Sequence, residues 1–223
     1  MRRFLIPIML LLCVLNACRD KASKPVPDEI IYVEHKIRGE EGAEFVTVLL
    51  QFRKGRSSKN ELVEAPGSVQ LDGQPLQGDS SEIGGGFYEL RLPPNSFDGV
   101  HFIRFDDGKG NVLTDSFRFK RFQLPELPSI ETGKDWKVAL PGLQTGDRLM
   151  VALTDTAFQT DDIVQVDTVR NAGIIVSSSK LRRLKPGPLS LELSFIQSRQ
   201  PAKGAKGSIE VEYSVKRELT KSN

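Results

Sequence analysis

His35 and His101 are the only imidazoles in the chain. Acyl or phosphoryl transfer through a serine, threonine or cysteine nucleophile needs such a base at hydrogen-bonding distance. Both histidines lie inside runs of alternating apolar and polar residues, which predicts strand-face or edge positions for them. His101 falls between Val100 and Phe102 and so occupies the opposite face of its strand. No Gly-x-Ser-x-Gly, His-Glu-x-x-His or phosphate loop occurs. The triplet Gly84-Gly85-Gly86 runs into Phe87-Tyr88-Glu89-Leu90-Arg91-Leu92. A phosphate cradle would require a helix and a lysine there, so a flexible entrance to a strand is expected. These residues predict a protein that is not an enzyme.

The densest carboxylate cluster is Asp155, Asp161 and Asp162, with Asp167 close behind. Calcium takes several oxygen ligands, which one loop could supply from carboxylates and carbonyls. The three residues are therefore a candidate ligand or ion loop, although their spacing differs from the twelve-residue calcium loop. A solvated loop closed by Asx turns is the competing expectation, and no resident cofactor is expected. Asp106 and Asp107 are a second candidate, for an ion between domains. The same acidic loop carries the enzymatic alternative, a hydrolase or hydrolase accessory acting on polysaccharide or cell wall.

Lys180, Arg182, Arg183 and Lys185 form the densest basic patch and are candidates for contact with an anionic partner. Leu181 and Leu184, between them, are expected to point inward. Lys203-Gly204-Ala205-Lys206-Gly207 is expected to be a mobile hairpin tip. Over the whole chain 31 Lys and Arg stand against 29 Asp and Glu. That balance lacks the basic excess of a nucleic-acid binder.

The first residues fall into three zones: Arg2 and Arg3, an uncharged apolar run from Phe4 to Val14, then Leu15-Asn16-Ala17-Cys18. As a helix the run would rise only ~16 Å, against a hydrocarbon core of ~30 Å. A cleaved export signal over residues 1–17 fits better than a permanent span. Leu15-Asn16-Ala17-Cys18 resembles the lipobox of bacterial lipoproteins. That resemblance implies lipidation of Cys18, cleavage before it, and palmitate or similar chains that hold the protein on a membrane. Arg19, where an inner-membrane retention signal would place Asp, implies the outer membrane, on an unspecified face. Cys13 would be lost with the signal, so Cys18 would have no disulfide partner. Residues 18–28, polar and carrying two prolines, read as a tether.

Period-two alternation dominates the remainder. It is uninterrupted through Ile209, Val211, Tyr213 and Val215, and through Leu189, Leu191, Leu193 and Phe195. Similar runs fall at 30–37, 44–52, 87–92, 100–106, 136–140, 148–154, 163–169 and 173–178, and no long helical periodicity occurs. The prediction is an all-β chain. Gln123-Leu124-Pro125-Glu126-Leu127-Pro128-Ser129 divides it into a β-sandwich at 29–122 and another at 130–217, with a polar tail at 218–223. In each half a crossover with an apolar plug, Phe97 or Leu181 and Leu184, precedes a glycine and the last strands. This layout resembles tandem immunoglobulin-like or fibronectin type III-like antiparallel sandwiches. The resemblance implies a cell-envelope binding or assembly module for a protein or glycan partner.

Overall fold

The computed structural model describes residues 30–55, 63–64, 67–81 and 85–222. The export signal, Cys18 and the tether lie outside the described residues. Nine strands come from the first half: β1 (Ile30–Glu40), β2 (Val46–Gly55), β3 (Val63–Glu64), β4 (Ser68–Leu71), β5 (Gln74–Leu76), β6 (Asp79–Ser81), β7 (Gly85–Leu92), β8 (Gly99–Asp106) and β9 (Val112–Phe119). The second half adds β10 (Trp136–Ala139), β11 (Arg148–Asp155), β12 (Ile163–Thr168), β13 (Gly173–Val176), β14 (Gly187–Arg199) and β15 (Ala205–Lys221). A short helix, α1 (Ser178–Leu181), and a 3₁₀ turn at Pro94–Ser96 occupy the two crossovers. Both are too short to leave a helical period in the sequence.

The chain is an all-β sandwich built mainly from antiparallel pairs. One large sheet runs β12-β11-β14-β15-β1-β2-β7-β6, with β3 beside β2. In the first half it is faced by the sheet β5-β4-β8-β9, and in the second by the pair β10-β13. Phe52 of β2 stacks on Phe105 of β8, with ring centroids 4.4 Å apart. Phe97 is buried beneath the first crossover; Leu181 and Leu184 are buried beneath the second. Each crossover plug therefore fills the core, as its leading apolar residue predicts.

The division at 123–129 is less complete than the sequence predicts. β15 pairs antiparallel with β14 over Ile209–Lys221 and parallel with β1 over Ala205–Ser214. The final strand thus belongs to both sandwiches. Residues 218–221 are strand, not a polar tail, and the second domain does not end at 217. Leu124 of the connector and Phe122 just before it are buried, and Phe122 meets Tyr213 of β15 edge-on at 5.8 Å. Burying these apolar side chains outweighs the freedom that a solvated linker would keep.

Lys203–Gly207 is likewise not a free tip, because Ala205, Lys206 and Gly207 pair with Ile31, Tyr32 and Val33. Gly207 has φ +115, and a Cβ there would stand 1.9 Å from the Val33 carbonyl oxygen. Only glycine lets the two backbones approach this closely. Beside it, Asp115 of β9 accepts from the Ala202 amide at 2.6 Å and is ion-paired with Arg199 at the end of β14. The Arg199 guanidinium also donates to the Ser116 carbonyl. These bonds pin the β14–β15 hairpin across the open side of the first sandwich.

Lys221 shows why the last residues are ordered. Its buried ammonium donates to the carbonyls of Leu181, at 3.1 Å, and Leu184. Carbonyls left over at the end of a helical turn carry partial negative charge and accept from a cation placed there.

Candidate functional site

Both histidines are buried, His35 with 1 % of its surface exposed, so neither has the surface position expected from the alternation. The phase of each strand explains this: His101 points the same way as Ile103 and Phe105, leaving Val100 and Phe102 outside. His101 Nδ1 lies 2.7 Å from Asp72 Oδ2, and Nε2 lies 2.9 Å from the Phe97 carbonyl. Its ring stacks on Phe97 at 3.9 Å. One nitrogen thus holds the β4–β5 turn and the other the first crossover. His35 packs against Phe52, and its Nδ1 has no partner among the described residues. Desolvation lowers its pKa to about 4, against smaller upward contributions from the Glu34 backbone and Asp115.

The acidic candidates do different jobs. Asp155 ends β11 and closes the following turn on itself. Its carboxylate accepts from the Ala157 amide at 2.9 Å, the Gln159 amide at 3.0 Å and the Thr160 hydroxyl at 2.9 Å. Desolvation pushes its pKa up, but the bonds from Thr160, Ala157 and Gln159 together outweigh this and hold it below the usual range. Asp161 is 94 % exposed at its side chain and stands 4.0 Å from Arg183; Asp162 is exposed beside it. No group of three or more His, Cys, Asp or Glu among the described residues is placed to hold a metal ion. The loop does not gather its carboxylates around calcium, because Asp155 faces inward and is consumed by the turn. Asp106 and Asp107 cap the β8–β9 hairpin in the same way, accepting from the amides of Gly108, and of Lys109 and Asn111.

The turn that Asp155 closes presents Phe158 at its apex, 89 % exposed and with φ +55. A left-handed backbone is uncommon for a bulky residue and is maintained here by the surrounding hydrogen bonds. The sequence signal for this turn is Asp155 followed by Thr160, which supplies the hydroxyl.

The basic patch sits next to the acidic loop. Lys180 of α1 donates to Gln165 of β12, and Arg183 approaches Asp161. Arg182 and Lys185 are exposed on the same crossover. Asp135 accepts from the Ser178 amide at 2.7 Å and so satisfies the first turn of α1. Two candidate clusters that lie about twenty residues apart in sequence therefore flank one strand, β12.

β12 has reversed polarity. It pairs with β11 so that Ile163, Gln165 and Asp167 stand opposite Leu153, Val151 and Leu149, all of them core residues. Val164 and Val166 consequently face outward, 65 % and 56 % exposed, beside Ala152 and Met150. β12 is also the end of the large sheet, with no strand paired on its second side among the described residues. After the turn at Arg170–Gly173 the chain enters β13, which pairs only with β10. β12 and β13 thus diverge into different sheets. The wedge between them is a groove of about 620 Å³, walled by Asp167 and Thr168 on one side and by Gly173, Ile175 and Lys137 on the other.

The fold defines the chain as an all-β protein of two fused sandwiches, with β12 at one end of the large sheet. No family model and no curated protein matches the sequence. Among solved structures, a chain of the complex of Dpr11 IG1 with DIP-gamma is similar at TM-score 0.27 and 8 % identity, over 85 % of this chain and 98 % of that one. DIP-gamma itself, with two IG domains, gives 0.23 and 7 %, over 82 % and 96 %. A point mutant of Salmonella alpha-2-macroglobulin gives 0.28 and 15 %, over 87 % of this chain and 15 % of that one. At these scores the class rests on the strand order and pairing alone.

Proposed function

We propose that the chain is an envelope lipoprotein, anchored through Cys18 to the outer membrane, that binds or assembles with a protein or glycan partner and catalyses no reaction. The observation that carries the binding role is the bare edge of β12, with Val164 and Val166 outward and Phe158 at the neighbouring loop apex. Exposed sheet edges pair readily with other chains, and β12 carries no lysine or proline, only the inward Asp167, to discourage this. An edge kept in that form suits recognition. The anchor is supported by the resemblance of Leu15-Asn16-Ala17-Cys18 to a lipobox. The non-catalytic reading is supported by the two histidines: His101 is engaged on both ring nitrogens, and His35 is sealed in the core. The hydrolase alternative loses Asp155, whose carboxylate is committed to its turn.

Membrane fractionation of wild-type and Cys18→Ala cells tests the anchor. Wild-type protein should sediment with membranes and the variant should be released. A glycan array and cross-linking capture on the released protein test the binding role. Polysaccharide turnover abolished by Asp161→Asn or Asp162→Asn would overturn the non-catalytic reading.

A further inference from the structure

Asp115 is nearly sealed, with 5 % of its side chain exposed, whereas its ion partner Arg199 keeps 34 %. The same two groups act electrostatically on His35 of β1, Asp115 in favour of a proton on the ring and Arg199 against one. The Glu34 backbone also favours the proton. His35 is buried, and its Nδ1 has no hydrogen-bond partner among the described residues. The neighbouring strands bring no further charge to the ring: β2 sets Leu50 and Phe52 beside it, β15 sets Ile209, and β8 sets Ile103 next to Asp115. Glu34 and Lys36 flank His35 on β1 but point to the opposite face, where they pair at 2.7 Å. One buried carboxylate therefore stands between a permanent cation and a latent one.

We propose that His35 and Arg199 compete for Asp115, so that acid hands the carboxylate to the imidazolium and releases the β14–β15 hairpin from β9. A buried charge is costly unless a counter-charge accompanies it. Neutral His35 makes no such demand, and Asp115 then serves Arg199 and the Ala202 amide. Protonated His35 meets attraction from Asp115 and repulsion from Arg199. Arg199 is the member that can leave, because its guanidinium already reaches water and regains hydration outside. Neither His35 nor Asp115 has that exit. The departure of Arg199 also breaks its bond to the Ser116 carbonyl, a second tie between the hairpin and β9.

Protonation and opening are linked reciprocally: the factor by which a proton favours opening is the factor by which opening favours the proton. Desolvation holds the ring's pKa at about 4 while the latch is closed, and loss of the guanidinium raises it toward the ordinary 6.5. The latch is therefore shut above about pH 6.5 and yields as the pH falls toward 4. Opening reaches the hairpin tip first, together with the rungs that join Ile31, Tyr32 and Val33 to Ala205, Lys206 and Gly207. The rungs between Leu189 and Leu219 lie at the far end of β15 and stay paired. The device is thus a local, acid-sensitive seam within a molecule that remains folded.

The test uses the full chain in detergent with isotope-labelled histidine, titrated by NMR. Only two histidines occur, and the His35 signals are those lost in His35→Leu. Arg199→Met removes the competing cation and should raise the proton affinity of His35 about tenfold. Asp115→Asn removes the attracting charge and should lower it. Loosened packing alone would hydrate the ring and raise the affinity in both variants, so shifts in the same direction, or none in either, would overturn the proposal. Amide hydrogen exchange, corrected for the chemical effect of pH, gives a second readout. Between pH 6.5 and pH 4, opening of residues 200–207 should rise about fivefold in the wild type, with residues 187–191 unchanged. His35→Leu should show no such rise. An equal rise in His35→Leu would place the trigger on Asp115 itself, and an equal rise over β11 and β12 would mean general unfolding; either result overturns the proposal.

Discussion

Two strands of the large sheet, β1 in the first half and β12 in the second, are treated in opposite ways. In the first half, the edge of β1 is covered along its length by β15, a strand brought back from the far end of the chain. Asp115, Arg199 and the Ala202 amide then lock the hairpin that delivers it. In the second half, β12 has a free side, its apolar residues face out, and the facing sheet has only two strands. Covering an edge removes a site of unwanted pairing. A chain that spends its last strand on one edge and leaves another bare separates a structural seam from a surface available for contact.

The largest test of that contrast is Asp115→Ala. It removes the acceptor of the half-buried Arg199 guanidinium and of the Ala202 amide at the seam, at a cost of about 2–4 kcal/mol. Urea unfolding should show this loss, and exchange of β1 and β15 amides should accelerate while β12 is unaffected.

The next effect is a pH dependence carried by His35, also at the seam. Its pKa of about 4 in the folded protein lies below the ordinary value of 6.5. The unfolded chain therefore binds the extra proton first as pH falls. The stability from keeping His35 neutral is complete above about pH 6.5 and declines toward pH 4, by about 3 kcal/mol in total. A His35→Leu variant should remove this part of the slope in a series of urea titrations.

In the second half, Lys221→Met leaves the Leu181 and Leu184 carbonyls without their donor, at a cost of about 1–3 kcal/mol. Thermal unfolding should register that loss and leave the seam's exchange pattern as it was. The smallest effects belong to the open edge. Phe158→Ser and Val164→Thr should each change stability by no more than about 0.5 kcal/mol, while reducing binding of a captured partner. A Val164→Thr variant that unfolds early would show that the edge is part of the core, and the contrast between the halves would collapse.

Most strands are legible because their alternation has no interruption, as from Ile209 to Val215. Alternation fixes which residues share a face, but not which face is buried. That missing phase accounts for His101 and for the outward valines of β12, whose inner positions hold Gln165 and Asp167. Parity does carry a usable signal at Asp115, which is in step with buried Phe117 and Phe119, and at Lys221, in step with Val211 and Val215. A charged residue in phase with core neighbours implies a buried partner. The partner of β1 is not legible at all. Parallel pairing between the first described strand and the last depends on three-dimensional closure, and local pattern says nothing about contacts so distant in sequence. The acidic loop was readable as Asx turns, but its residues gave no sign that Asp155 shapes an aromatic apex.

The parallel ladder between β1 and β15 also sets how the molecule bears load. A pull on the chain ahead of Ile30 draws β1 toward its start, and a pull from the second sandwich draws β15 toward its end. In a parallel pair those two directions oppose each other along the strand axes. The ladder is then loaded in shear, with its hydrogen bonds sharing the force together instead of opening one after another. A force that enters along β1 and along the end of β15 therefore meets the direction in which this seam resists most.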